Sequence, residues 1–95
     1  MTGKQRAYLR GLANTMEPIV HVGKDGVTDN VIRQTDDALE ARELLKGTVL
    51  QNSPVTAREA ADELCEATGA QPVQCIGNRF VLYRAKKKEP KIVLP

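Results

Sequence analysis

Apolar positions recur along this chain at two spacings, one near three and a half residues and one of two, and the places where the spacing changes mark out its elements. Leu9, Leu12, Ala13 and Met16 form the inner stripe of a helix predicted over residues 3–14. Thr2 and Gln5 stand at capping-box spacing at its start, and Arg6 and Arg10, one turn apart, lie beside the stripe. After Pro18, Ile19–Val22 is a short β-branched strand. Val31, Ile32, Thr35, Ala38, Leu39 and Arg42 trace one face of a second helix over residues 29–44. Asp29, Arg33, Asp36, Asp37, Glu40 and Glu43 fall mostly on its wet side. Thr28 is placed to cap this helix, with Val27 and Ile32 as a hydrophobic staple.

Leu45–Leu50 reads as a second strand, weakened by Gly47. Thr56 and Glu59 form another capping box, opening a helix that buries Ala60, Ala61, Leu64 and Cys65 and stops at Gly69. Val73–Ile76 and Phe80–Arg84 are strands joined through Gly77-Asn78, a two-residue hairpin signal with glycine first. The order is helix, strand, helix, strand, helix, strand, strand. Strand-helix-strand units give parallel pairs and the closing hairpin an antiparallel one, so the expected fold is a compact α/β domain over residues 1–95 with a four-stranded mixed sheet. Residues 85–95 are a cationic tail whose apolar end is expected to dock as an added strand.

With 41% apolar and 27% charged residues, the composition is that of a globular protein. No apolar run approaches the roughly 20 residues that cross a bilayer, and the start, MTGKQRAYLR, lacks the apolar core of a signal peptide. A cytoplasmic monomer is expected. Cys65 and Cys75 lack metal or redox spacing and read as structural thiols. Net charge is only +2, but its distribution is uneven: +2 over residues 1–26, −5 over 27–66 and +5 over 67–95. If the chain ends meet in space, the molecule has a cationic face suited to nucleic acid.

The stretch Gly23-Lys24-Asp25-Gly26 joins the first strand to the second helix. It matches neither the phosphate loop GxxxxGK[ST] nor the dinucleotide motif GxGxxG, which leaves a bare GxxG. A GxxG loop before a helix N-terminus clamps a nucleic-acid backbone in KH domains, with glycines admitting the strand and the middle residues facing it. Lys24 supplies charge, and Asp25 is expected to turn inward onto loop N–H groups. A single histidine, His21, offers little acid-base chemistry. The acid pairs Asp36-Asp37 and Asp62-Glu63 diverge on their helices, and Ser53 has no evident base, so neither catalysis nor a metal or cofactor is expected. With no Trp, one Phe and two Tyr, the chain has no row of stacking platforms. Recognition should rest on phosphates and shape, with modest sequence specificity.

Taken together, KQRAYLRGLA at 4–13, PIVHVGKDGVTDNVI at 18–32, ALEARELLK at 38–46, TGAQPVQCIG at 68–77, VLYR at 81–84 and IVLP at 92–95 resemble the CRM domain, the chloroplast RNA splicing and ribosome maturation domain, in its single-domain bacterial YhbY-like form. The resemblance implies a fold similar to the C-terminal domain of translation initiation factor three. It also implies RNA binding around the GxxG loop and association with precursors of the large ribosomal subunit. Gly23, Lys24, Asp25 and Gly26 match the family loop, with Thr28 following it; Lys4, Gln5, Arg6 and Arg10 match the basic first helix, and Tyr83 and Arg84 the LYR segment. Asn14 stands where the family usually has histidine, and RELLKGT replaces a HELIKVK-like run, which shifts reliance toward Lys86, Lys87 and Lys88. The expected RNA-binding set is therefore Lys4, Arg6, Arg10, Gly23, Lys24, Asp25, Gly26, Thr28, Arg84 and Lys86–Lys88. The rival reading is a protein-interaction adaptor that docks through the acidic second helix.

Overall fold

The computed structural model describes residues 1–95, and the elements follow in the expected order. Helix α1 spans Gly3–Ala13, β1 Val20–Val22, α2 Asp29–Arg42, β2 Leu44–Val49, α3 Ala57–Thr68, β3 Gln71–Ile76 and β4 Arg79–Tyr83. Both capping boxes form: at α1 the Gln5 N–H donates to Thr2 Oγ1 (3.1 Å) and the Thr2 N–H to Gln5 Oε1 (3.0 Å), and Thr56 and Glu59 repeat the exchange at α3. Helix α2 is capped by Thr28, whose hydroxyl accepts from the Val31 N–H at 3.2 Å. No helix is long and apolar enough to cross a membrane.

The strands form one mixed sheet in the order β1-β2-β4-β3, with β1 parallel to β2 and the other pairs antiparallel. Helices α2 and α3 cover one face. Here Val20, Val22, Leu39, Leu45, Leu64, Phe80 and Leu82 build the main core, and three alanines of α3 keep that helix close to the sheet. A Cβ at position 47 would stand 2.2 Å from Phe80 Cζ, so the ring lies directly against bare main chain of β2. That close approach is what the glycine in the middle of a strand is for.

Helix α1 lies on the opposite face and covers only part of it. Leu9 and Ala13 join Leu44, Val73, Val81 and Tyr83 in a second, smaller cluster. Directly paired residues share a face of the sheet, so Val81 opposite Lys46 and Gln74, and Arg79 opposite Thr48 and Ile76, place all of these on the α1 side. A β-bulge between Pro72 and Gln74 leaves Val73 without a partner and resets the alternation, which is how Gln74 and Ile76 come to that side.

Four expectations need correction. Leu12 is 39% exposed because the buried stripe of α1 is narrow and runs from Leu9 to Ala13 beside it, and Arg42 is exposed because the buried face of α2 ends at Leu39. Glu43, assigned to solvent, is fully buried at 0% exposure, with φ at +67° at the end of α2. The tail docks, but not as a strand. Ile92 and Leu94 pack on the α1-side cluster, the Lys86, Lys91 and Ile92 N–H groups donate to the Glu43 carboxylate, and Gln5 Nε2 donates to the Pro95 carbonyl. A chain held by a buried carboxylate has no need of a neighbouring strand to satisfy those donors.

Candidate nucleic-acid interface

The loop at Gly23–Gly26 is a tight turn closed by a 3.0 Å bond from the Gly26 N–H to the Gly23 carbonyl. Gly26 is buried with φ at +70°, a conformation that favours glycine, while a Cβ there would make only ordinary contact with Pro54 Cγ at 3.4 Å. Lys24 and Asp25 occupy the two corners and are exposed. Asp25 does not turn inward; the main chain closes the turn by itself, and its carboxylate accepts no hydrogen bond from the loop. Thr28 is spent on the α2 cap, and Asp29 stands in the first turn, where it takes up part of the positive end of the helix dipole. The loop's charge toward a phosphate therefore rests on Lys24.

Strand register fixes which other cations lie near it. His21 pairs with Thr48 and Thr48 with Arg79, while the Val49 N–H donates to the Asn78 carbonyl at 2.7 Å. The Gly23–Gly26 loop, the 50–55 connection and the Gly77-Asn78 turn thus share one end of the sheet. At that end α1 leaves the sheet face bare, and His21, Thr48, Arg79 and Ile76 form a row across all four strands. Ile76 is 65% exposed. Lys46, one pleat away, lies on the same face. Neither Lys46 nor Arg79 is ion-paired, since both salt bridges of the molecule belong to Arg84. Sequence reasoning left Lys46, Arg79 and His21 out of the expected RNA-binding set, because only strand pairing brings residues 21, 46 and 79 together. Polar alternation of Lys46 and Thr48 within β2 was the available signal.

Arg84 and the tail lysines are elsewhere. Leu44 pairs with Tyr83, so residue 84 emerges at the other end of β2, about 17 Å along six strand residues. There Arg84 Nη1 donates to Asp36 Oδ1 at 2.6 Å and to the Thr68 carbonyl at 2.8 Å, and Nη2 donates to the Asp36 carbonyl and to Glu40 Oε2. Its charge is balanced by two carboxylates of the acidic helix, which are themselves partly neutralised in turn. Lys87 borders the same group, and Lys86 gives its N–H to Glu43. Burial pushes the Glu43 carboxyl up, but the three N–H donors and the nearby Lys86 charge outweigh it and hold its pKa below the usual carboxylate value.

The basic residues of α1 divide differently. Lys4, Arg6 and Arg10 are exposed. Arg6 lines a cleft of about 410 Å³ with Arg58 of α3 along the free edge of β3, three strand spacings, or about 14 Å, from β1. The two cysteines are free and half-buried, and burial with the neighbouring Asp62 charge pushes the Cys65 thiol up to about 11, which disfavours the nucleophilic thiolate.

Comparison with known proteins agrees with this architecture. The sequence profile of the CRS1 / YhbY (CRM) domain matches residues 1–84. The chain is 47% identical over 95 residues to the Probable RNA-binding protein YqeI of Bacillus subtilis (strain 168), covering 100% of this chain and 99% of that protein. It is 36% identical over 95 residues to a Haemophilus influenzae protein named RNA-binding protein, covering 100% and 95% of the two. The solution structure of the hypothetical protein SAV1595 from Staphylococcus aureus superposes with a TM-score of 0.83 at 48% identity, over 100% of this chain and 99% of that one.

Proposed function

Because the chain belongs to the CRS1 / YhbY (CRM) domain family, we propose that it is a non-catalytic RNA-binding module that grips structured RNA by its backbone. The observation that carries this reading is a tight glycine turn that holds Lys24 exposed at its corner, toward the same end of the sheet as the unpaired cations Arg79 and Lys46. The glycines shape the tight turn, Gly26 from beneath it, so that Lys24 at the corner meets a phosphate, and His21, Lys46 and Arg79 extend the cationic track over the bare sheet face. Arg6, Arg10 and Lys4 widen it from α1. Precursor RNA of the large ribosomal subunit, in the cytoplasm, is the partner this reading assigns, and assembly of that subunit is the process.

If about six phosphates are contacted, affinity for single-stranded RNA falls with salt at a log-log slope of roughly −4. Lys24→Glu reverses a charge at the loop and weakens binding by about tenfold or more, with no loss of folded stability, as read by fluorescence anisotropy and thermal melting. A flat salt response, or an unchanged affinity in the variant, contradicts the backbone grip. Crosslinking in cells followed by sequencing of the attached RNA tests the ribosomal assignment. If RNA affinity survives Lys24→Glu but a protein partner is lost on reversing Asp37, the adaptor reading replaces it.

A further inference from the structure

The bare part of the sheet is hollowed. Beside the end of α1, Asn14, Lys46, Gln74, Ile76, Arg79 and Val81 enclose a depression of about 190 Å³. That is smaller than the roughly 300–1,000 Å³ of clefts that take drug-sized ligands. Its lining combines three chemistries. Ile76 and Val81 provide an aliphatic floor, Lys46 and Arg79 bring two positive charges, and the side-chain amides of Asn14 and Gln74 offer both donors and acceptors. Neither amide makes a hydrogen bond within the molecule, and neither cation is ion-paired, although every side-chain polar atom that is fully buried elsewhere has its partner. No carboxylate lines the hollow. Two free amides and two free cations therefore line one hollow, next to a track of positive charge.

Resting on the RNA-binding reading above, we infer that this hollow receives one unstacked base of a single-stranded RNA segment whose backbone is held at the Gly23–Gly26 loop. The amides of Asn14 and Gln74 read the edge of the base, as a single Asn or Gln amide does when it bonds adenine bidentately. The base lies on Ile76 and Val81 and against the guanidinium plane of Arg79, a surface that replaces the aromatic platform this chain lacks. Lys46 and Arg79 neutralise the flanking phosphates. The row from His21 to Arg79 spans two strand spacings, about 10 Å, so loop and hollow lie on one continuous path. A duplex cannot use the hollow, because its bases are paired and stacked.

The test is anisotropy titration of the full chain with short oligomers of adenine, uracil or cytosine nucleotides of equal length, and with a duplex of the same length. The wild type should prefer one base by about tenfold. Asn14→Ala and Gln74→Ala, both at accessible positions, should bring the oligomers to equal affinity while keeping the salt slope. Photocrosslinking with thiouridine-substituted RNA should join the RNA to β3 or β4 near Ile76 and Arg79. Lys24→Glu should weaken all oligomers alike. A wild type without base preference, a preference that survives both amide variants, or crosslinks confined to other surfaces overturns the base site and leaves the backbone grip standing. Indifference to Lys24→Glu overturns the grip itself, whatever the amide variants do.

Discussion

The two ends of the sheet are built on opposite plans. At the tail end the buried carboxylate and the guanidinium are partnered, although the tail's lysine ammonium groups form no ion pair. Glu43 takes three N–H groups of the tail, Arg84 spans Asp36, Glu40 and the Thr68 carbonyl, and Tyr83 is buried with its phenol pKa raised by burial and then by the Glu43 charge. At the loop end Lys24, Lys46 and Arg79 have no acidic partner, and two amides have no hydrogen bond. Satisfied polar groups hold a fold together, while unsatisfied accessible ones are available to a ligand. The contrast teaches that positive charge alone does not mark an interface: the lysine-rich tail is the more cationic stretch in sequence, yet its backbone serves the fold.

The contrast is broken most sharply at Glu43. Replacing it with alanine leaves three backbone donors without their acceptor, and hydrogen bonds to a charged group contribute roughly 1.5–3 kcal/mol each before relaxation. Glu43→Ala should therefore lower stability by about 3 kcal/mol, a fall of more than about 10 °C in Tm, and should free the tail to proteolysis. RNA affinity of the fraction still folded at low temperature should stay within about twofold of wild type, since the loop end is separate. A collapse of affinity in a folded Glu43→Ala protein would show that the two ends act as one.

A milder perturbation is acid. The Glu43 carboxyl has a lowered pKa in the folded protein, so its contribution is complete above its ordinary value of 4.5 and is lost as pH falls below that through the folded value. Hydrogen exchange at the Lys86, Lys91 and Ile92 amides should be slow and, after correction for intrinsic rates, steady near neutrality, then lose protection in acid before the main core does. The smallest effect belongs to Arg84→Ala. Its ion pairs are with carboxylates that are more than half exposed, for which about 1 kcal/mol or less is typical. Chemical denaturation should show that loss with RNA affinity nearly unchanged, whereas a drop as large as that of Lys24→Glu would return Arg84 to the interface.

Much of this architecture is legible in sequence because it is local. Thr2 with Gln5, Thr56 with Glu59, the Thr28 cap and the Gly77-Asn78 turn each act over two or three residues, and all four form. The hairpin turn has positive φ at Gly77 and not at Asn78, as glycine in first place implies. What escapes a reading by pattern is whatever depends on distant pairing. Glu43 looks like one more polar residue of an acidic helix, since its partners lie 43 to 49 positions away. Arg84 continues a basic run and is in fact balanced by Asp36, 48 positions back. The hollow draws on residues 14, 46, 74, 76, 79 and 81, which no window along the chain places together. The GxxG loop was visible because four consecutive residues make it, while its cationic neighbours were not, because β4 inserts between β2 and β3.

The contact between Phe80 and the bare backbone at Gly47 makes two positions behave as one heritable character. Neither can drift alone: any side chain at 47 collides with the ring, and trimming the ring first leaves a void of the kind that costs several kcal/mol. A library randomised at both sites and selected for folding should therefore return coupled solutions, glycine with a bulky ring or a larger residue with a small one. In a domain of this size, that coupling removes two core positions from independent variation.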